Sequence, residues 1–75
     1  LAPQLHAYPN PISNGMVQVE VPAAQGWTLY NASGQVLQSG YWSSPGTYRL
    51  NLQRLSTGMY VLRTDSGQYA RLLLE

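Results

Sequence analysis

Short runs in which apolar and polar residues alternate recur along the chain, separated by glycine, proline and asparagine. In the segment MVQVEVP the valines occupy alternate positions, with Gln18 and Glu20 between them and Pro22 at the end. Successive side chains of a β-strand point to opposite faces of its sheet, so this spacing predicts a half-buried strand that stops at Pro22. The residues expected on its buried face are Val17, Val19 and Val21.

The segment GTYRLNLQ repeats this alternation and predicts a second strand, with Tyr48, Leu50 and Leu52 facing the core. Two further pairs of runs are separated by turn residues and are predicted to form hairpins. NASG at 31–34 lies between WTLYN and QVLQSGYW, and DSG at 65–67 lies between MYVLRT and QYARLLLE. The last two runs are expected to face inward through Tyr60, Leu62, Thr64, Ala70, Leu72 and Leu74.

No window shows apolar residues at a sustained spacing of about 3.6 residues, so we expect no substantial helix. The predicted fold is all-β, a small Ig-like antiparallel β-sandwich of about six to seven short strands. With 75 residues and no cysteine, the chain has no disulfide to stabilise it. Its single histidine, His6, cannot supply a structural zinc site, so the hydrophobic core has to stabilise the fold.

Composition argues against several classes of function. The net charge of +1 comes from four arginines and three acids, which is too weak and scattered for a nucleic-acid interface. The acids Glu20, Asp65 and Glu75 are expected on a strand face, in a turn and at the terminus, and His6, the only imidazole, lies in an N-terminal stretch bounded by prolines. Catalysis by paired carboxylates or by a nucleophile and base needs such groups in one cleft. We therefore expect no enzyme, no metal and no cofactor.

Aromatic side chains are the feature that could bind a ligand. Tyr41 and Trp42 are adjacent, so in a strand they face opposite sides and one of them is expected to be exposed. One hypothesis is therefore a carbohydrate-binding or adhesion module that uses Tyr41, Trp42 and Tyr69. A passive spacer beside a catalytic domain is a further alternative. Because the chain has no phenylalanine, Trp and Tyr are also needed for the core, and core packing is the favoured role of the aromatic residues.

The order of four motifs resembles a known family. YPNP at 8–11 precedes the valine-rich strand, LYNASGQVL follows at 29–37, and LNLQRLSTGMYVLR follows at 50–63 before a short closing strand. This order resembles the type A C-terminal sorting domain of the type IX (Por) secretion system of Bacteroidetes. The resemblance runs from about Tyr8 to Glu75. It implies an Ig-like sandwich at the end of a longer protein, with residues 1–8 as a linker from an upstream domain and 9–75 as the sorting domain.

What the resemblance implies about function is a non-enzymatic export signal, recognised as a folded domain. The expected partners are the type IX translocon, its shuttle or sortase proteins and the upstream domains of the same chain, with a possible indirect link to anionic lipopolysaccharide. The expected route is the periplasm, then the outer-membrane cell surface or secretion. The matched or terminal residues expected to carry the signal are Pro9, Asn10, Pro11, Gly34, Leu55, Gly58, Tyr60, Arg71, Leu72, Leu73, Leu74 and Glu75.

Two of these positions have a physical interpretation from the sequence. Gly58 precedes a strand and is expected to turn the backbone sharply where a Cβ would be strained, while Leu55 is expected to plug an open end of the sandwich. The terminal strand is expected to be an exposed edge whose free backbone groups a partner extends by strand addition.

Overall fold

Seven antiparallel strands and no helix make up the computed structural model, which describes residues 5–75. In chain order the strands are β1 (His6–Tyr8), β2 (Met16–Val21), β3 (Gln25–Asn31), β4 (Val36–Trp42), β5 (Gly46–Asn51), β6 (Gly58–Thr64) and β7 (Tyr69–Leu74). The predicted all-β fold is confirmed.

The strands form two sheets that face each other. The smaller sheet has the order β1-β2-β5 and the larger has the order β4-β3-β6-β7. Both predicted hairpins occur, because β3 pairs with β4 and β6 pairs with β7. Their turns place Gly34 and Gly67 at φ values of 87° and 89°, in the left-handed region that glycine adopts without strain.

The core lies between the sheets, and the alternation in the sequence locates it correctly. Val17 and Val19 of β2 are fully buried, and each stands opposite a β5 residue, Leu50 and Tyr48 respectively. On the facing sheet, buried side chains alternate with exposed or half-buried ones along β6 and β7. The inward residues of these strands are Tyr60, Leu62, Thr64, Ala70, Leu72 and Leu74, as predicted.

The N-terminal segment joins the sandwich earlier than predicted. His6–Tyr8 forms β1 and pairs with β2, and Leu5 is buried in the core. Part of the linker expected over residues 1–8 is therefore inside the folded unit. A three-residue strand is too short to show alternation, which is why the sequence pattern did not indicate it. The remaining residues of that linker lie outside the described part of the chain, and the upstream domain stays a prediction.

Candidate functional site

The side chain of Asn10, in the YPNP motif, hydrogen-bonds to the outer edge of β7 at two places. Its Nδ2 donates to the carbonyl oxygen of Arg71 at 2.6 Å, and its Oδ1 accepts the N–H of Leu73 at 3.0 Å. A primary amide carries a donor and an acceptor in one plane, as a peptide group does. Asn10 thus takes the place of a residue in a neighbouring strand. The structure brings together the predicted entrance motif and the predicted terminal strand.

Backbone hydrogen bonds continue this contact along β7. The Ile12 N–H donates to the Leu73 carbonyl at 2.7 Å, and the Glu75 N–H donates to the Ile12 carbonyl at 2.9 Å. At the other end, the Leu5 N–H donates to the Tyr69 carbonyl at 2.8 Å. Ile12 is itself fully buried, so the segment after the motif is anchored in the core. We call β1, β7 and residues 9–12 the clamped side of the sandwich.

The expectation of an open terminal edge is wrong. The two bonds of Asn10 and the three backbone bonds occupy groups of β7 and of Glu75, the residue after it, that would otherwise pair with a further strand. Strand addition needs a row of unpaired N–H and C=O groups, and the protein's own N-terminal segment takes most of that row. Because the two residues of each bond lie more than 60 positions apart along the chain, local sequence patterns give no sign of these contacts.

The outward side chains of the terminal segment remain accessible. Arg71 and Glu75 are exposed, and Leu73 is half-buried. Leu73 stands opposite Met59 of β6, whose side chain is 44% exposed. Together these four residues form a small surface of mixed apolar and charged character at one edge of the larger sheet.

The other predicted site residues of this region divide between core and surface. Leu72 and Leu74 point inward and are buried, so in the folded domain they hold β7 in place and do not meet a partner. Pro9 and Pro11 flank Asn10 and are exposed.

The late motif around Gly58 is built as a structural turn into β6. Tyr60 is buried, and its hydroxyl donates to the carbonyl of Ser56, four residues earlier, at 2.5 Å. Gly58 has a φ of 147°, which L side chains rarely adopt, whereas a Cβ there would have no atom within 4 Å. Backbone conformation, not crowding, therefore explains the glycine. Leu55 is half-buried against the core, in agreement with the predicted plug.

The same arrangement occurs a second time, at the entrance to β5. The sequence S-x-G-x-Y is present at 44–48 as well as at 56–60. The Tyr48 hydroxyl donates to the Ser44 carbonyl at 2.6 Å, and Gly46 has a φ of 155°. Both copies are visible in the sequence, but the repeat was not among the predicted features. Because the turn also occurs away from β7, its glycine and tyrosine are explained by folding.

Gly34 belongs to the β3–β4 turn, at the same end of the larger sheet as Gly58. The register shows this, since Asn31 stands opposite Tyr60. The Asn31 side chain organises the turn by accepting the N–H groups of Ser33 and Gln35 at 3.0 and 2.9 Å. Gly34 does not join the hydrogen bonds of the clamped side.

Aromatic rings close the opposite side of the sandwich. Trp42 of β4 is buried and stacks between Trp27 and Tyr48, with ring centroids 5.6 Å apart in each pair. Tyr48 belongs to β5, so this stack spans the two sheets. We call β4 and β5, with these three rings, the aromatic side.

The carbohydrate hypothesis needed Tyr41, Trp42 and Tyr69 on one exposed surface, and the structure does not provide such a surface. Trp42 is in the core, and only 4% of it is exposed. Tyr41 is exposed and Tyr69 is half-buried, but they lie on β4 and β7, at opposite edges of the four-stranded sheet. The three residues therefore do not form one binding platform.

Titratable groups form one small cluster, on the outer face of β1 and β2. The Tyr8 hydroxyl donates to Oε2 of Glu20 at 3.2 Å, and the His6 ring meets the Tyr8 ring edge-on at 4.9 Å. Desolvation raises the pKa of Tyr8 above 10.0, with smaller contributions in the same direction from the hydrogen bond and the charge of Glu20. Tyr8 is therefore a neutral hydrogen-bond donor at physiological pH. Residues 5–75 bring together no set of three side chains suited to holding a metal ion.

The described residues also contain no helix that could cross a membrane.

Comparisons with known proteins agree with this architecture. The chain resembles a single-mutant thermostable endoglucanase from Alicyclobacillus acidocaldarius, with a TM-score of 0.66 and 17% identity. The match covers 96% of this chain and 15% of the endoglucanase chain, and at this identity it shows the fold alone. No curated protein matches the sequence.

A family model gives the functional assignment. The model of the secretion system C-terminal sorting domain matches residues 6–72, which includes the YPNP motif, both S-x-G-x-Y turns and most of β7. That family is a sorting-signal family and not an enzyme family. The chain therefore belongs to the C-terminal sorting domains of the type IX secretion system, which direct proteins for export.

Proposed function

We propose that the type IX machinery reads this signal from the folded sandwich, through the outward side chains of its terminal segment. The residues assigned to recognition are Met59, Arg71, Leu73 and Glu75. The observation that carries the proposal is the covered edge of β7, which leaves side chains instead of backbone groups as the accessible part of that strand.

The remaining sequence-predicted site residues act indirectly in this proposal. Asn10, between Pro9 and Pro11, fixes the position of β7 from outside, while Leu72 and Leu74 fix it from the core. Gly34, Leu55, Gly58 and Tyr60 shape turns at the end of the sandwich. The partners are the translocon and its associated shuttle or sortase proteins, and the route runs through the periplasm to the cell surface. Any link to anionic lipopolysaccharide would come through the sortase.

The test is to fuse the chain to the C-terminus of a periplasmic reporter protein in a host with a type IX system. The paired variant Arg71→Ala with Leu73→Ser should leave the reporter in the periplasm. Both side chains lie outside the core, so the domain should stay folded. The fraction of reporter on the cell surface or in the medium is the measurement, with the melting temperature of each purified domain as the folding check.

Arg49→Ala is the matched control, since Arg49 is an exposed arginine on β5 of the other sheet. It should not change export. Normal export of the folded paired variant would show that the outward side of β7 is not the signal.

A further inference from the structure

The two arginines of the larger sheet lie next to each other on its outer face. Arg71 of β7 stands opposite Val61 of β6, and Arg63, two residues after Val61, stands opposite Tyr69. Arg63 and Arg71 are therefore diagonal neighbours on adjacent strands, and both are exposed. Diagonal neighbours on one face of an antiparallel pair lie about 7 Å apart, which is within reach of long side chains.

The strands of the larger sheet supply no acid to balance these two charges. β3, β4, β6 and β7 contain no aspartate or glutamate, and Glu20 belongs to the other sheet. Asp65 lies in the turn after β6, where its Oδ2 accepts the Gly26 N–H at 3.1 Å. Glu75 follows β7 and lies about 13 Å from Arg71 along extended chain. Neighbouring like charges do not stabilise a sheet, so folding does not account for the arginine pair.

Hydroxyl-bearing side chains surround the arginine pair on the same face. On β3, Tyr30 stands opposite Val61 and Thr28 stands opposite Arg63, and Tyr69 stands opposite Arg63 from β7. All three are half-buried. A guanidinium group donates hydrogen bonds in a planar fork that matches a carboxylate, and hydroxyl groups donate as well. This group of donors suits an anion.

Apolar side chains continue the surface next to the pair. Val61 lies between Tyr30 and Arg71, and Met59 and Leu73 stand opposite each other two residues further along β6 and β7. An anion bound here therefore has apolar surface beside it. An aspartate or glutamate next to an apolar residue in a protein segment matches both features, whereas an inorganic anion matches only the charge.

We propose that Arg63 and Arg71 together bind a carboxylate of a protein partner, with an apolar residue of that partner packed on Val61 and Leu73. This inference rests on the proposed function, because Arg71 already belongs to the surface assigned to recognition. It adds Arg63 to that surface and specifies an acidic segment as the partner's contribution.

The first test is an NMR titration of the 75-residue chain with a short peptide in which glutamate alternates with leucine and both ends are blocked. The signals of the arginine Nε–H groups are the measurement. The Arg63 and Arg71 signals should shift. Arg49 and Arg54, on β5 and in the loop after it, are exposed internal controls whose signals should not shift.

Two further ligands identify what is recognised. A matched peptide with glutamine in place of glutamate should shift neither Arg63 nor Arg71, and inorganic phosphate should bind more weakly than the glutamate peptide. Equal effects of the two peptides, or equal shifts at all four arginines, would overturn the proposal. Phosphate binding as tight as that of the peptide would show a general anion site and would overturn the assignment to a protein partner.

The variant Arg63→Gln connects the site to export. It should weaken binding of the glutamate peptide about threefold to tenfold and lower the exported fraction of the reporter fusion. Arg63→Lys keeps the charge and should retain more of both. Arg49→Gln is the matched control and should change neither, with melting temperatures to check that each variant is folded.

The export assay separates this inference from the proposed function. If Arg71→Ala with Leu73→Ser leaves the reporter in the periplasm while Arg63→Gln is exported normally, the proposed function stands and the paired site is overturned. If the paired variant is exported normally, the proposed function fails, and the part of this inference that concerns export fails with it. The carboxylate site would then be decided by the peptide titration alone.

Discussion

The clamped side and the aromatic side close the same sandwich by different interactions. On the clamped side, the polar side chain of Asn10 and three backbone hydrogen bonds join β7 to the N-terminal segment. On the aromatic side, the rings of Trp27, Trp42 and Tyr48 stack across the gap, and no strand within residues 5–75 pairs with the outer edge of β4.

The two kinds of interaction differ in whether they mainly stabilise the fold or mainly cover an edge of the sheet. A net hydrogen bond contributes about 1 kcal/mol, and less when its groups are near solvent, while a buried aromatic ring contributes several kcal/mol. The hydrogen bonds of Asn10 on the clamped side should therefore add little to the free energy of unfolding while covering an edge. The aromatic side should add much to stability while leaving its edge open.

Removing the central ring of the aromatic side should have the largest effect. Trp42→Ala should lower the free energy of unfolding by about 3–5 kcal/mol, because it leaves a cavity between Trp27 and Tyr48. For a domain of this size that loss approaches the whole stability. Urea denaturation followed by circular dichroism would measure it. Tyr41→Ala, at the exposed neighbour, should change the free energy of unfolding by no more than about 0.5 kcal/mol. Equal losses for both variants would contradict the assignment of Trp42 to the core and Tyr41 to the surface.

The two S-x-G-x-Y turns allow a comparison of the aromatic side with the neighbour of the clamped side, because one turn leads into β5 and the other into β6, the strand paired with β7. Gly58→Val and Gly46→Val should each cost about 2 kcal/mol, since valine is strained at positive φ in either turn. Thermal unfolding of both variants is the measurement. A clear loss for Gly58→Val with none for Gly46→Val would show that the two turns are not equivalent.

Breaking the clamp should have the smallest effect on stability and a distinct local effect. Asn10→Ala should cost about 1 kcal/mol, because the freed groups of Arg71 and Leu73 can bind water. The Leu73 N–H should exchange with deuterium faster than in the wild type. The Leu62 N–H lies in the centre of the sheet, so its exchange should change only as much as the free energy of global unfolding changes. Asn10→Asp retains the acceptor for the Leu73 N–H, so it should slow that exchange relative to Asn10→Ala. Unchanged exchange at Leu73 in Asn10→Ala would show that Asn10 does not bond to the Leu73 N–H.

The sequence predicted strands and faces well where side chains alternate over six or seven residues. The valines of β2 show this, as do the buried residues of β6 and β7. Turn chemistry located the hairpins at Gly34 and Gly67. These are local signals, which depend on residues a few positions apart.

What the sequence could not predict depends on contacts between distant residues. The bonds of Asn10 reach 61 and 63 residues along the chain, and a single asparagine has no periodicity that reveals its partner. The edge of β7 was therefore expected to be open. The burial of Trp42 was likewise undecided, because alternation separates Trp42 from Tyr41 but does not say which of them faces the core.

The clamp also has a consequence for the order of events during protein synthesis. The two bonds of Asn10 join the segment just after β1 to β7, so the ribosome makes Asn10 long before it makes Leu73. A chain that terminates early would lack β7, leave the edge of β6 without its paired strand and leave Asn10 without its partners. The closed sandwich therefore exists only on chains translated through the final strand. Machinery that binds the closed form would pass over truncated products without any separate inspection.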